Sequence, residues 1–433
     1  MERDPGCGRR SAGLNRSHRL NQNEMTQATE LPYSTARTSE TMLVAGVCTA
    51  HFVSHYQMML LAPLFAVVRA DFDVSYTELG LALTAFNVVS AVLQTPAGFF
   101  IDRTGARLNL IGGPLLGAVA VAGAALASSF WVFVAMFAVL GLANTVYHPA
   151  DYALLSERVV PARVTQVFSF HTFAGMVGSA IAPVTLLFMQ NLVGWRGAFL
   201  GASALGLVAA LLLMWQGEPP VDRTVLPSKP RDANAASLPL DGWRLLLSAP
   251  ILLNFAFFVI LSMVGGGLNQ YLVVGLGALH GTPPALANTA LTGLLLMSAV
   301  GVLVGGALAG RTTHHNIVAS LGLLVMGIVS AFISFVDPGA LALVLVMSVS
   351  GFASGMTMPS RDMIVRSVTP PGAFGKVFGF VSTGFNISGI VAPIIFGQLL
   401  DRGHPQALFL YIACCALVAI ATVGFGMSGR RTT

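Results

Sequence analysis

Ionisable and hydrogen-bonding side chains are sparse in the apolar stretches of this chain, and they fall in small groups. His51 and His55 are four residues apart and share one helical face, with Tyr56 and Gln57 directly after them. Asn144, His148 and Asp151 lie in a second stretch, His171 in the next, and Arg361 beside Asp362 much later. Asn269, Gln270 and Tyr271 follow the run Gly265-Gly266-Gly267, where three consecutive glycines weaken a helix and predict a bend or unwound point. Imidazoles titrate near neutrality, so histidine–carboxylate groups can take up and release protons, while amides and phenols can hold a small molecule. Hydrolysis by a nucleophile is a poor match, because Ser169 and His171 are two apart and so lie on different helix faces. Haem ligation needs histidines on facing helices, and His51 with His55 supplies one turn of one helix. The cysteines show no metal-ligand spacing, and neither a metal nor another cofactor is expected.

A very apolar chain must position these groups. Of its 433 residues, 55% are hydrophobic and only 9% charged, with a mean hydropathy of +0.75; a soluble domain carries about a quarter charged residues. A spanning helix needs about 20 apolar residues. The segments that qualify are 42–66, 77–101, 108–127, 130–152, 166–189, 196–215, 249–275, 284–309, 316–336, 339–364, 376–400 and 406–427. Their continuous apolar runs predict helices and exclude the short alternating strands of a membrane barrel. By the rise of a helix, His55 falls near the middle of its segment, and His148 and His171 about 10 Å from the middle of theirs.

Between the second and third segments stands Gly98-Phe-Phe-Ile-Asp102-Arg103-Thr-Gly105-Ala-Arg107. This run resembles the G-x-x-x-D-R-x-G-x-R signature between helices two and three of the major facilitator superfamily of secondary transporters. The resemblance implies an all-α membrane protein of twelve transmembrane helices in two pseudo-symmetric six-helix bundles. It also implies that Asp102 meets the start of helix eleven near Gly375 and Lys376 in one conformation, with Arg103 and Arg107 holding neighbouring acids such as Glu157. Such contacts suit a conformational switch. A second, shorter likeness is Gly141-Leu-Ala-Asn-Thr-Val-Tyr147-His148-Pro149, which resembles the fosmidomycin-resistance branch of the superfamily and implies drug export by proton antiport. Ordinary drug–proton antiporters carry an arginine four residues before that glycine, and here Phe137 stands there, so His148 or Asp151 would have to take its part.

Internal similarity supports two halves. Residues 141–183 align without a gap on 351–393, with identities that include Gly141/Gly351, Ala143/Ala353, Pro149/Pro359, Pro161/Pro371 and Pro183/Pro393. The signature returns in reduced form as Gly306-Ala-Leu-Ala-Gly310-Arg311, with Gly310 where Asp102 would be. The domain plan is a tail at 1–40, a bundle at 41–216, a Pro-rich charged linker at 217–245, a second bundle at 246–427 and a short tail at 428–433. The first 40 residues lack the apolar stretch of a signal peptide, and Met25 is the expected start. Cys7, Cys48, Cys414 and Cys415 form no disulfide framework.

The formal charge of +5 is topological. All of the 23 basic residues except Arg69, Arg196 and Arg402 fall in segments on one side, which predicts both termini in the cytoplasm of a bacterial-type inner membrane. No nucleic-acid partner is expected; the partners are the bilayer and a small-molecule substrate, and the chain is expected to be a monomer. The repeat places Arg361 opposite Asp151, and the two are expected to pair near the cytoplasmic ends, with Asp362 beside them, closing an inner gate when the protein faces outward. No G-x-x-x-x-G-K-[ST] loop exists, so an ion gradient, of protons by the number of histidines, supplies the energy. The first functional reading is proton-coupled export of a small molecule or drug. Uptake of a small organic anion or metabolite is the second, and a transport-like membrane sensor the third.

Overall fold

The computed structural model describes residues 33–216, 242–309, 311–369 and 374–428, together with Glu2. The expected tails (1–40 and 428–433) and linker (217–245) therefore lie largely outside the described residues. In the first half, α1 (Tyr33–Met58) and α2 (Leu61–Phe72) form one span bent by 40°. They are followed by α3 (Tyr76–Thr104), α4 (Ala106–Leu126), and the broken span of α5 (Phe130–Asn144) and α6 (Tyr147–Arg158). Then comes α7 (Pro161–Trp215), which changes direction at Gly194, where φ is 74°. In the second half, a short α8 (Gly242–Leu246) leads into α9 (Ala249–His280), α10 (Pro284–Ala309), α11 (His315–Phe335), α12 (Ala340–Val368), α13 (Phe374–Asp401) and α14 (Pro405–Ser428). Ten helices are long and apolar enough to span; the bent pair makes an eleventh, and the break at Gly194 divides α7 into two, which gives twelve. The fold is two six-helix bundles.

Proline chemistry explains two of the breaks. Pro63 and Pro149 are each the third residue of their helix. In a continuous helix their rings would collide with the carbonyls of Met59 and Thr145, four residues back, so the chain breaks there instead. Pro359, the repeat partner of Pro149, sits inside an unbroken α12, so the two halves differ at this point. The expected bend at Gly265–Gly267 is absent: α9 runs through it. Gly267 is buried, and a Cβ there would stand 2.8 Å from Phe396 and 2.9 Å from Ile412, so this glycine serves close packing rather than a bend.

Glycines also reveal the pseudo-symmetry. A Cβ at Gly141 would run into the carbonyl of Phe86, and one at Gly351 into that of Leu294. Those are matching positions in the two halves. Gly105 joins α3 to α4 at φ 91°, a backbone state that glycine alone adopts freely, which accounts for the second glycine of the signature.

The bundle has two ends, one carrying the signature loop and the other the turns at residues 73–75, 281–283 and 402–404. At this far end the halves are joined. Asp401 accepts hydrogen bonds from the backbone N–H groups of Tyr76 (2.6 Å) and Thr77 (2.8 Å), and the Thr84 hydroxyl donates to the Ile390 carbonyl. One large apolar core, running from Phe65, Leu79 and Phe133 to Tyr271, Phe396 and Phe409, crosses from half to half. A smaller core of Leu43, Val47, Ile101, Tyr147, Leu154 and Val167 lies in the first half on the signature-loop side.

Candidate functional site

Three helices of the first half build a buried cluster. α1 presents His51 and His55 on one face, α6 presents His148, Asp151 and Tyr152, and α7 presents His171, Gly175 and Ser179. His171 Nε2 lies 2.8 Å from Asp151 Oδ2, and His51 Nδ1 lies 3.4 Å from the same oxygen. Asp151, His171 and His51 are at most 3% exposed. The His51 ring stacks on His171 with centroids 3.8 Å apart, and it lies 4.6 Å from His55 and 5.3 Å from His148. Close approach of α1 to α7 depends on Gly175, where a Cβ would stand 2.6 Å from His51 Cδ2.

The surroundings add polar groups. His55 Nδ1 is 3.3 Å from the Ser179 hydroxyl, and the Tyr56 hydroxyl is 2.9 Å from that of Thr185. Tyr152 lies beside His148 and His171, at 6.1 and 5.9 Å between ring centroids. Buried Asp151 Oδ1, His171 Nδ1 and the Tyr147 hydroxyl have no hydrogen-bond partner among the described residues. His148 itself is exposed. A carboxylate removed from water demands compensation, and here every close partner of Asp151 is an imidazole, a group that gains and loses protons.

His51, Asp151 and His171 could also hold a metal, since their ligand atoms lie within 4.8 Å of one another. Ligands of a tetrahedral zinc stand about 3.3 Å apart, given bonds of about 2.0–2.1 Å. The 2.8 Å Asp151–His171 separation is instead that of a hydrogen bond, so the tightest pair is spaced for a shared proton.

The sequence-expected pairing of Asp151 with Arg361 is not present in this conformation. Asp151 is enclosed by histidines of its own half, while Arg361 pairs with its neighbour Asp362 at 2.8 Å and lies over the rings of Phe258 and Phe385. Asn269, Gln270 and Tyr271 stand on α9, in the half opposite the histidines. Gln270 donates to the Met58 carbonyl of the other half at 3.4 Å, and buried Tyr271 donates to the Pro393 carbonyl at 3.3 Å. Asn144 is half-buried at the end of α5, just before the break. In the signature loop, Arg107 donates to the Leu213 carbonyl and Arg103 is exposed. The side chains of Asp102, Glu157 and Lys376 lie outside the described residues, as does Gly310.

Sequence reasoning missed Tyr152, Gly175 and Ser179, and named Tyr147 only as part of a motif and not as a site residue. All four carry a signal: Tyr147 is four residues before Asp151, Tyr152 four after His148, and Gly175 and Ser179 four and eight after His171, so each repeats a helical face.

The chain belongs to the Major Facilitator Superfamily, whose family model matches residues 47–279 and again 267–431. It is a multi-pass membrane transporter and not an enzyme. Among curated proteins it is similar to the "Probable sulfoacetate transporter SauU" of Cupriavidus necator, at 26% identity over 83% of this chain and 87% of that one. It is also similar to the "Probable L-galactonate transporter" of Escherichia coli (24%, 81% of each chain) and to the "Fosmidomycin resistance protein" of Escherichia coli (20%, 90% and 93%). Among solved structures, a bacterial homologue of the human lysosomal transporter Spinster, inward-facing and unoccupied, superposes with a TM-score of 0.74 at 13% identity. That match covers 91% of this chain and 97% of the other.

Proposed function

We propose that this chain is a proton-coupled carrier of a small organic anion, with Asp151, His171 and His51 as the coupling site. The observation that carries the reading is the enclosure of a solvent-free carboxylate by two imidazoles, at 2.8 and 3.4 Å. Such a group can change charge by accepting or losing protons, and no permanent cation among its close partners fixes its state. Ionisable residues at membrane depth are expensive and mark ion or substrate pathways.

With the positive-inside asymmetry, the signature-loop end is cytoplasmic and the joined end faces outward. On this reading the halves are joined at the outer end in the conformation described, and alternating access proceeds by rocking one bundle on the other. A protonated cluster, together with Arg361, offers positive charge to an anion; loss of the proton withdraws it. The names of the sulfoacetate and L-galactonate relatives agree with an anionic substrate. We place the carrier in a bacterial inner membrane as a monomer.

Reconstituted protein in liposomes loaded with a pH dye tests the reading. Addition of sulfoacetate or galactonate is expected to move protons together with one of these anions. If no anion moves protons while labelled substrate still exchanges across the membrane, proton coupling is wrong.

Export is the second reading, favoured by Tyr147-His148-Pro149 and by the similarity to the fosmidomycin-resistance protein. An efflux-deficient bacterium expressing the chain separates the two. Resistance to fosmidomycin that a His148→Ala, Asp151→Asn double mutant loses supports export, and increased sensitivity to a toxic acid analogue supports uptake.

A further inference from the structure

The end of α13 reads Gly397-Gln-Leu-Leu-Asp401-Arg402-Gly403. Its glycine, acid and arginine have the same spacing as Gly98, Asp102 and Arg103 of the signature loop, yet it lies at the opposite end of the bundle. Asp401 is the residue that receives the N–H groups of Tyr76 and Thr77, the first two residues of α3. Gly397 lets the helices meet: a Cβ there would stand 2.6 Å from Thr77 Cα. A Cβ on Gly98 would have nothing within 4 Å. Of the two glycines, Gly397 is thus in close contact with the other half, while Gly98 has no such neighbour among the described residues.

We infer that Gly397, Asp401 and the start of α3 form a second latch, which holds the far end shut in the conformation described. The physical basis is the N-terminus of a helix. Its first N–H groups have no partner within the helix, and the aligned peptide dipoles favour negative charge there. α3 already satisfies one donor internally, through the capping box of Ser75 and Glu78 (Glu78 N–H to the Ser75 hydroxyl, 3.1 Å). Tyr76 and Thr77 are left, and a carboxylate from the other half takes both. Arg69 lies over the Tyr76 ring at 4.5 Å and donates to the Val74 carbonyl, so a cation stiffens the turn that presents these donors. When the far end opens, Asp401 must exchange both bonds for water, and Gly397 must leave Thr77. The latch is independent of which substrate or ion is carried. It adds a contact at the end opposite the signature loop, so that α3 and α13 each end in the same Gly-x-x-x-Asp-Arg spacing.

The test uses full-length protein in nanodiscs with Cys7, Cys48, Cys414 and Cys415 replaced, and spin labels at Ser128→Cys and His404→Cys, in far-end turns of opposite halves. Asp401→Asn is expected to raise the ratio of long to short label separations about tenfold, from the loss of charge-assisted bonds to a helix N-terminus. Thr77→Pro removes one donor at a helix position that tolerates proline. It is expected to give a smaller shift, and combining it with Asp401→Asn less than the sum of the two. Asp102→Asn placed on top of Asp401→Asn is expected to move the ratio back. An unchanged distance distribution in both Asp401→Asn and Thr77→Pro, with the protein folded by thermal melting, overturns the latch. So does full additivity of the pair.

Discussion

His171 Nε2 and Asp151 Oδ2 stand 2.8 Å apart with both side chains closed to solvent, joining α6, the second piece of span four, to the first part of α7. Asparagine has the shape of aspartate but carries no charge and no exchangeable acid proton. Asp151→Asn is therefore expected to reduce transport driven by a pH gradient to background, while exchange of labelled for unlabelled substrate persists. Liposome assays run with and without the gradient measure both. Loss of exchange together with gradient-driven transport, in a folded variant, would make Asp151 a binding residue instead.

His148 is the exposed member of the histidine group. On the proposed reading it meets substrate, while the coupling proton is held by the buried group. His148→Gln is expected to raise KM about 10- to 100-fold, the size of one lost hydrogen bond to a charged group, with the maximal rate and its pH profile retained. A changed pH profile at unchanged KM would move His148 into the coupling group.

Two glycines separate positioning from packing. Gly175→Ala places a methyl 2.6 Å from His51 Cδ2, and a ring can turn away. Transport is expected to fall while the melting temperature stays close to that of the unaltered chain. Gly351→Ala meets the backbone of Leu294, which cannot turn away. It is expected to cost about 1–3 kcal/mol of stability, read as a lower melting temperature and yield.

Arg361 offers a test of substrate charge. Its guanidinium lies 4.8 and 5.1 Å from the ring centroids of Phe258 and Phe385. Lysine keeps the charge and loses the planar stacking, worth about 0.5–2 kcal/mol. For an anion, Arg361→Lys is expected to raise KM modestly and Arg361→Ala severely, as measured by concentration-dependent uptake. Equal effects of the two would show that stacking, not charge, is what Arg361 supplies.

Most of the fold was legible because membrane helices write themselves as apolar length, and because glycine and proline mark where helices end or approach. The equivalence of Gly141 and Gly351 was visible as an alignment and reappears as contacts with Phe86 and Leu294. The histidine group was legible as a set of residues too polar for their surroundings. Their geometry was not, because helical spacing fixes which residues share a face but not how a helix is rotated against its neighbour. Arg361 shows the limit well. Repeat equivalence puts it at the position of Asp151 in its own half, and whether the two meet depends on how far the halves are apart. The Gly265–Gly267 bend was misread because propensity says nothing of the Phe396 and Ile412 side chains that use the space. Asp401 escaped notice because its Gly-x-x-x-Asp-Arg spacing falls at the end of α13, away from the repeat offset that links the two halves.

The division of the apolar interior into two unequal cores has a mechanical meaning. The larger one bonds both bundles at the far end, while the smaller holds the segments around Asp151, including Tyr147 and Leu154. Span four is interrupted by a turn at Thr145 and Val146, and Tyr147, Ala150 and Leu154 of its second piece pack in the smaller core. The proposed coupling carboxylate thus sits on a helix packed in the smaller core and not in the one that crosses between the bundles. If that division lets the site rearrange without straining the whole interior, α6 is the first helix in which amide hydrogens should exchange.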